Sequence, residues 1–389
     1  MNAILTNASG AKALIVTRSL GRKKIDVITS DVDKLSASFF SKYSKEHFQY
    51  PPPKLLPLEF INVLYNYTKR KKIDVLMPIN STETLLVSKY KSKFDKYTEI
   101  PLNNYSQMMQ LHDKEELMKI ADEFNIRSPK TFSIKDIKNV RNIAKNIEYP
   151  AVIKLKDSTS SLGVYYAHCE DELVSKYKNI VFNLKLEPDN FPIVQEYIPG
   201  DGYGVSVLFN RGDLRAIFVH KRIREYPITG GPSTFRESIR HHEMENIAIS
   251  LLKHFNWHGL AMVEFKLDKR TNKPVLIEVN PRFWGSINQA IASGVDFPFL
   301  LYKMATEGDI KPVLNYKIGV KTRFLLNDFQ AFLSSFKESK SRLKVFKEFS
   351  NFEGIFKDDI FVSDDVLPAL FYIYSNIKEF LGEKKNGRI

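Results

Sequence analysis

The segment from Ala261 to Ser286, AMVEFKLDKRTNKPVLIEVNPRFWGS, places the strongest constraint on the fold of this chain. Apolar and polar residues alternate over AMVEFKL and again over PVLIEVN, and this period of two predicts two half-buried strands. The polar stretch DKRTNK between them favours a turn, so the segment predicts an antiparallel hairpin. If Leu267 pairs with Val275 where the hairpin closes, Glu264 lies opposite Glu278.

The alternation also predicts which side chains share a face of the hairpin. In the first strand, one face carries Val263, Phe265 and Leu267, and the other carries Met262, Glu264 and Lys266. In the second strand, one face carries Val275, Ile277 and Val279, and the other carries Leu276, Glu278 and Asn280. The second face of each strand therefore brings two carboxylates and an amide together.

Two carboxylates directly across a strand pair repel each other, and a hard cation between them would remove that cost. Glu264, Glu278 and Asn280 offer only oxygen ligands, which suit Mg²⁺ held together with substrate phosphates, with Mn²⁺ as an alternative. Arg282 follows as a fixed positive charge beside this anionic site. The other interpretation is the solvated outer face of an ordinary hairpin, and the glutamate pair alone favours neither.

The residues after the second strand favour the metal site, because Pro281 ends the strand directly after Asn280. This combination resembles the metal-binding end of the ATP-grasp ligases, in which an acid on one strand and Glu-x-Asn on the next hold Mg²⁺ on the phosphates of ATP. The resemblance covers roughly residues 1–309. It implies that Glu264, Glu278 and Asn280 bind the metal.

Length and composition are those of a globular protein. The chain has 389 residues and a net charge of +13, which predicts two or three domains and fits either anionic ligands or solvated lysine-rich faces. The clustered basic stripe that a nucleic-acid site needs is missing from the sequence. The single Cys169 excludes an internal disulfide, and the N-terminus lacks the apolar core of a signal peptide, so a cytoplasmic location is expected.

Strand and helix patterns alternate over residues 1–110 and predict an open parallel α/β domain. Ligands in such sheets bind beyond the ends of the strands, which places Asn7, Asp31 and residues 80–83 near one another. Ser81 or Thr82 is the predicted N-cap of the helix that follows. A two-lobed ATP-grasp domain over residues 111–310 and a mostly helical C-terminal extension over residues 311–389 complete the predicted architecture of mixed α/β and α+β class.

The resemblance also implies an ATP site. Lys114 follows the predicted N-cap Asp113 and would contact ATP, although alone it looks like a surface lysine. Lys154 lies on a strand before a small polar loop that would cover the phosphates, and the other interpretation of this loop is a plain hairpin tip. The implied nucleotide-binding residues are Lys114, Lys154, Ser160, Ser161, Gly163, Gln195, Glu196, Tyr197, Ile198 and Asp201. Asp201 lies beside Gly202, which falls at the position where many family members carry a ribose-binding acid.

A basic stretch ending in Arg222 and Arg224 precedes the glycine loop of residues 230–234. Arginine facing a loop of backbone N–H groups and hydroxyls suits a carboxylate or an acyl phosphate. We therefore predict that Arg222 and Arg282 orient the acid to be activated and stabilise the transferred phosphoryl group. A solvated basic edge is the alternative, with nearly equal weight for Arg222.

The C-terminal residues predict amphipathic, basic helices and a final aromatic helix that is too short and interrupted to span a bilayer. Packing on the core is the expected role, and resting on an anionic membrane or a partner is the alternative. Taken with the resemblance, the sequence predicts an ATP- and Mg²⁺-dependent carboxylate–amine ligase that forms an acyl phosphate and releases ADP and phosphate. A small-molecule kinase and a non-catalytic nucleotide-binding protein remain alternatives, and the chain is compatible with a homodimer.

Overall fold

The structure is a computed structural model that describes residues 1–156, 163–228, 230–339, 341–350 and 355–385; for residues 355, 356 and 379–385 only the backbone is described. The α-helices and strands are numbered below in chain order. The described residues also form short 3₁₀ helices at Ala37–Phe40, Lys91–Lys93, Ile137–Asn139 and Pro188–Asn190.

The N-terminal part is a parallel sheet with helices on both faces, as predicted. Its elements are β1 (Asn2–Leu5), α1 (Ala11–Arg22), β2 (Asp26–Asp31), β3 (Ser44–Gln49), α2 (Pro57–Lys71), β4 (Val75–Met77) and α3 (Ser81–Lys89). The strand order is β3-β2-β1-β4. Side chains of α1 pack on one face of β1 and side chains of α2 pack on the other, so both faces of the sheet are buried.

A small antiparallel sheet follows after a helical connection. The elements are α4 (Tyr105–His112), α5 (Lys114–Glu123), β5 (Thr131–Ser133), α6 (Val140–Asn146), β6 (Ala151–Lys154), β7 (Val164–Ala167), α7 (Glu170–Asn183) and β8 (Ile193–Glu196). The strand order is β5-β8-β6-β7, and α6 and α7 cover the sheet with a core of their own. The predicted N-cap Asp113 accepts hydrogen bonds from the backbone N–H groups of Glu115 and Glu116 and thereby starts α5.

The large central sheet carries the hairpin. Its first strands and their helices are β9 (Gly200–Asn210), β10 (Asp213–Glu225), β11 (Ser233–Ile239), α8 (His242–His254), β12 (Gly259–Asp268), β13 (Lys273–Asn280), α9 (Ile287–Ala292) and α10 (Phe297–Glu307). The sheet has seven strands in the order β13-β12-β9-β10-β11-β14-β15. Helix α8 packs on the face that carries Val263 and Phe265, which leaves the opposite face for Glu264.

The last two strands of this sheet come from the C-terminal extension. Its elements are β14 (Lys321–Arg323), α11 (Leu325–Glu338), α12 (Arg342–Ser350), β15 (Ile355–Asp358) and α13 (Leu367–Lys385). The extension is mostly helical, as predicted, but β14 pairs with β11 and β15 pairs with β14. The rings of Phe40 and Phe371 stack, so α13 packs on the N-terminal domain. None of the described helices is long and apolar enough to cross a membrane.

Candidate active site

The described residues enclose a cavity of about 360 Å³ where the N-terminal domain, the small sheet, the large sheet and the C-terminal extension meet. Most of the residues predicted for the site line this cavity. They are Lys114, Lys154, Glu196, Tyr197, Ile198, Arg222, Glu264, Glu278, Asn280 and Arg282. Gln195, Asp201 and Gly163 do not line it, and Ser160 and Ser161 lie outside the described residues.

The predicted pairing of the hairpin is present at the site, but the predicted closure is wrong. Glu264 pairs with Glu278, whereas Leu267 pairs with Pro274 and not with Val275. A bulge that leaves Ile277 without a partner absorbs the difference of one residue. The turn is therefore shorter than expected, while the two glutamates still face each other.

The bulge also changes the predicted faces of β13. Leu276 was expected to share the face of Glu278, but it packs in the core together with Val279 and Phe265. Ile277, expected in the core, lines the cavity beside Glu278. An extra residue in one strand interrupts the alternation of side chains, and the sequence carries no sign of it because both residues are apolar.

Asn280 joins the two glutamates. Its Nδ2 donates to Glu264 Oε1 at 3.0 Å and to Glu278 Oε1 at 2.8 Å. Its Oδ1 accepts a hydrogen bond from Arg282 Nη2 at 2.6 Å. The three predicted metal ligands are thus within hydrogen-bonding distance of one another on one face of the hairpin.

Arg222 reaches this cluster from β10. Its Nη2 forms an ion pair with Glu264 Oε2, and its Nη1 lies 3.3 Å from Glu225 Oε1. These two carboxylates keep the pKa of the Arg222 guanidinium above its ordinary value despite burial. One arginine of the basic stretch before the glycine loop, Arg222, therefore contacts a predicted metal ligand instead of pointing into solvent.

The two facing glutamates have different protonation behaviour. Burial raises the pKa of Glu264 to about 7, with the charge of Glu278 adding to the effect and Arg222 opposing it. Burial also acts on Glu278, but the positive charges of Lys114 and Lys154 and the hydrogen bond from Asn280 lower its pKa to about 2. The surroundings therefore favour the charged form of Glu278 more than that of Glu264.

Arg282 connects the hairpin to the N-terminal domain. Its Nε donates to Ser81 Oγ at 2.7 Å. Ser81 is the first residue of α3, and the N-cap is Asn80, so the predicted capping by Ser81 or Thr82 is wrong. The side chain of Asn80 instead accepts a hydrogen bond from Lys12 at the start of α1. This bond confirms the predicted proximity of the segments after β1 and β4. The backbone N–H of Ser9 also donates to the carboxylate of Asp31, which joins the segment after β1 to the end of β2.

Lys154, the last residue of β6, and Lys156, two residues later, have different surroundings. Lys154 lines the cavity, and burial lowers the pKa of its ammonium to about 8, with the charge of Glu278 opposing the shift. Lys156 forms an ion pair with Glu115 at 2.7 Å and does not line the cavity. Lys114 is buried at the cavity wall, and its Nζ donates to the carbonyl of Lys156 at 3.3 Å.

The implied nucleotide-binding residues 195–198 span the end of β8 and the two residues after it. Tyr197 and Ile198 line the cavity, and the carbonyl of Ile198 accepts a hydrogen bond from Lys266 at 3.1 Å. The carboxylate of Glu196 is 2.7 Å from Arg270, and Gln195 is buried against Thr131. Tyr197 and Ile198 are therefore the residues of this segment that are available to a ligand. The side chain of Glu196 is paired with Arg270, and that of Gln195 is hydrogen-bonded to Thr131.

Asp201 is held away from the cavity by two lysines. Its carboxylate lies 2.8 Å from Lys221 and 3.7 Å from Lys269, and these interactions lower its pKa. The neighbouring Gly202 lines the cavity instead. A ribose contact by Asp201 stays a prediction that this arrangement does not support.

Only part of the glycine loop lines the cavity. Gly230, Gly231 and Ser233 line the cavity, but Thr234 donates a hydrogen bond to Asp328 at 2.8 Å in the interior. Arg224 also pairs with Asp328 at 2.8 Å. A side chain on Gly231 would lie 2.0 Å from the carbonyl oxygen of Tyr226, so this position admits only glycine.

Several cavity residues were missed by the sequence analysis. They are Lys12, Tyr166, Glu225, Arg236, Lys266, Phe324, Asn327 and Tyr372. Lys266 could have been found, because the alternation of β12 already placed it on the face of Glu264. The residues from the C-terminal extension carried no such signal, since they reach the cavity only through contacts between distant parts of the chain.

The geometry defines a cleft between two sheets that is lined by both acidic and basic side chains. Residues 190–323 match the family model described as "ATP-grasp in the biosynthetic pathway with Ter operon". The predicted resemblance to the ATP-grasp superfamily is therefore confirmed, and the family model matches about a third of the chain.

The chain is also similar to curated relatives in sequence and to solved structures in fold. The chain is 25% identical over 179 residues to a D-alanine–D-alanine ligase of Pelotomaculum thermopropionicum, covering 42% of this chain and 54% of the relative. It is 22% identical over 322 residues to the carbamoyl phosphate synthase large chain of Thermoanaerobacter pseudethanolicus, covering 79% of this chain and 28% of that one. The chain thus spans about half the length of the first relative and less of the second.

The fold is similar to that of the biotin carboxylase domain of the Hydrogenobacter thermophilus 2-oxoglutarate carboxylase, which was crystallised with magnesium ADP and bicarbonate. The TM-score is 0.66 at 15% identity, and the match covers 82% of this chain and 73% of that domain. At this identity the similarity concerns the fold alone.

Proposed function

We propose that this protein is an ATP- and Mg²⁺-dependent ligase that activates a small-molecule carboxylate as an acyl phosphate for attack by an amine. ADP and phosphate are the other products. The observation that carries the proposal is the cluster of Glu264, Glu278 and Asn280 in a cavity that Lys154 also lines. The ligase activity of the D-alanine–D-alanine relative supports it.

The hairpin cluster fits a magnesium ion that is shared with phosphates. Among the described residues no three His, Cys, Asp or Glu side chains form a metal cluster, so the protein supplies two carboxylates and an amide at most. Mg²⁺ commonly binds through one or two carboxylates and takes its remaining ligands from substrate phosphates and water. Bound there, it would neutralise charge on the phosphates of ATP, and Mn²⁺ would be an acceptable substitute.

Other residues of the cavity wall would make the remaining contacts with ATP. Lys114 and Lys154 would hold phosphate oxygens, since both ammonium groups lie in the wall of the cavity near Glu278. The backbone of Tyr197 and Ile198 would hold the adenine. Phosphoryl transfer needs positioned positive charge rather than a protein nucleophile, and this wall provides it.

We assign Arg222 and Arg282 to the acid that is activated. Both line the cavity and both touch a predicted metal ligand, Arg222 at Glu264 and Arg282 at Asn280. The contact of Arg222 with Glu264 couples it to the metal site more closely than the sequence suggested. Arginine side chains in this position would orient the carboxylate and stabilise the developing acyl phosphate.

The domain boundaries at residues 110 and 310, a cytoplasmic location and a homodimer remain proposals. The two strands that residues 321–358 add to the central sheet tie the extension to the ATP-grasp domain.

The decisive experiment traps the intermediate. Purified protein with ATP, Mg²⁺ and a panel of carboxylates is supplied with hydroxylamine, which converts an acyl phosphate to a hydroxamate but leaves a phosphate ester unchanged. We expect hydroxamate and ADP in equal amounts with the right acid. A stable phosphorylated product without hydroxamate would establish the kinase alternative, and nucleotide binding without any turnover would establish the non-catalytic one.

A further inference from the structure

One end of the cavity is built from parts of the chain that the ATP and metal contacts do not use. Ala11 and Lys12 come from α1, Phe324 and Asn327 from the start of the C-terminal extension, and Tyr372 from α13. We call these five residues the acid end of the cavity. Three segments far apart in sequence therefore converge on a single wall.

The acid end has an apolar surface. Ala11, Phe324 and Tyr372 pack against a buried cluster of Leu14, Ile360 and Ala369. The rings of Phe324 and Tyr372 lie 5.9 Å apart. Two aromatic rings and a methyl group supported from behind by a core form a fixed apolar wall, the kind of surface that binds an apolar group of similar size.

Two basic side chains, Lys12 and Arg282, lie beside this wall and donate their hydrogen bonds to neutral groups. Lys12 donates to the amide of Asn80, and Arg282 donates to Ser81, Asn280 and the carbonyl of Phe283. Among the described residues neither forms a salt bridge, although the charge of Glu83 acts on Lys12 and the charges of Glu278 and Glu264 act on Arg282. Both side chains are only partly exposed, so a carboxylate from outside the chain would provide each with a directly contacting counter-ion.

The side chain of Asn327 adds a polar group. It lines the cavity and forms no hydrogen bond with the residues that the structure describes. An amide in this position would accept or donate one hydrogen bond to a polar atom of the bound molecule.

We propose that the acid activated by this protein is a monocarboxylate with an aromatic or similarly large apolar group. Its carboxylate lies between Lys12 and Arg282, and its apolar group packs on Ala11, Phe324 and Tyr372. A second carboxylate in the apolar part would lose its hydration without a partner there, which disfavours dicarboxylates. This inference rests on the proposed ligase function and names the class of acid.

The test compares two acids of similar length, 3-phenylpropionate and adipate. Their affinities are measured by calorimetry on the full chain with Mg²⁺ and a non-hydrolysable ATP analogue. We expect 3-phenylpropionate to bind at least about tenfold more tightly, a difference of about 1.4 kcal/mol. Equal affinities, tighter binding of adipate, or binding of neither acid would overturn the inference.

Variants locate the binding site. Tyr372→Ala should weaken 3-phenylpropionate at least fivefold and leave the affinity for the ATP analogue unchanged, whereas Tyr374→Ala, an exposed tyrosine of the same helix, should change neither. Asn327→Asp, which needs no repacking of a core, should weaken the same acid by placing a negative charge in the acid end. Equal effects of Tyr372→Ala and Tyr374→Ala, or no effect of Asn327→Asp, would contradict the assignment.

The hydroxylamine assay separates the two proposals. If 3-phenylpropionate binds with the expected preference but yields no hydroxamate, the pocket assignment stands and the ligase function fails. If other acids yield hydroxamate while 3-phenylpropionate neither binds nor reacts, the ligase function stands and the inference about the acid fails.

Discussion

Glu264 and Glu278 face each other across the hairpin, yet the surrounding charges keep them in different states. Lys114 and Lys154 lower the pKa of Glu278 to about 2 against the effect of burial. A carboxylate whose folded pKa lies below its unfolded value stabilises the fold above the unfolded pKa, and this contribution is lost as the pH falls through the folded pKa. Glu278 therefore has a stabilising effect at neutral pH, whereas the raised pKa of Glu264 has the opposite effect.

Glu278→Gln should abolish Mg²⁺-dependent ATP turnover while the chain stays folded. Loss of a charged ligand removes part of a metal contribution worth several kcal/mol, so we expect turnover to fall roughly a hundredfold or more. Steady-state ADP release over a range of Mg²⁺ concentrations measures this, with exposed Glu243→Gln as the control. Nearly normal turnover with unchanged Mg²⁺ dependence would contradict the metal assignment.

The two neighbouring lysines Lys154 and Lys156 point to different partners. In the alternating sequence AVIKLK both lysines belong to one strand face, and only the resemblance singles out Lys154. In the structure, Lys154 lines the cavity, while Lys156 is bonded to Glu115 and to the carbonyl of Asp189. The sequence could not separate them, because the pairing of Lys156 depends on a helix forty residues earlier.

Lys154→Ala should weaken ATP binding by at least about tenfold, since it removes a buried positive charge from the cavity. Lys156→Ala should leave ATP binding within threefold and should instead lower the free energy of unfolding, because it breaks the pair with Glu115. Calorimetry with ATP and urea unfolding of both variants give the two quantities. A larger loss of ATP affinity in Lys156→Ala would show that the assignment is shifted by two residues.

The elements show which parts of the fold a sequence can predict. The hairpin and the parallel N-terminal sheet follow from local alternation, and both are present. The bulge at Ile277 could not be predicted, because an apolar residue fits the core and the cavity equally well. Contacts such as Arg222 with Glu264 depend on the order of strands in the sheet, which local patterns leave open.

His258, which directly precedes β12, is half-buried and has a consequence for pH dependence. Burial lowers the pKa of His258 to about 4, and the charges of Lys91 and Arg211 add to this effect. Its Nδ1 is buried without a hydrogen-bond partner among the described residues. The pKa of His258 in the folded chain thus lies below its value in the unfolded chain. The preference of the folded chain for the neutral imidazole therefore stabilises the fold fully above the unfolded pKa, and this stabilisation is lost as the pH falls towards about 4.

We therefore expect the free energy of unfolding of the wild type to decrease between pH 7 and pH 4.5 by about 2 kcal/mol more than that of His258→Gln. Urea unfolding at several pH values measures the difference. His242→Gln changes an exposed histidine and should follow the wild type. The same decrease in all three proteins would mean that carboxylates alone cause the acid sensitivity.

At the scale of the whole molecule, the C-terminal extension is fixed to the N-terminal domain by a buried ion pair. Arg18 Nε lies 2.8 Å from Asp365 Oδ2, and both side chains are almost fully buried. Asp365 also accepts hydrogen bonds from Ser41 Oγ and Lys42 N. This network precedes α13, so it positions the helix that brings Tyr372 to the cavity.

Asp365→Asn should lower the free energy of unfolding by about 3–5 kcal/mol, because it leaves Arg18 buried without a counter-charge. The adjacent Asp364 provides the matched control: it pairs with Arg22 at 2.9 Å with both side chains about two-fifths exposed, and Asp364→Asn should cost less than about 1 kcal/mol. Urea unfolding compares the two. The double variant Arg18→Met with Asp365→Leu should recover most of the loss, because it removes both charges together. Equal losses for Asp365→Asn and Asp364→Asn would show that the extension is held mainly by its strands and not by this pair.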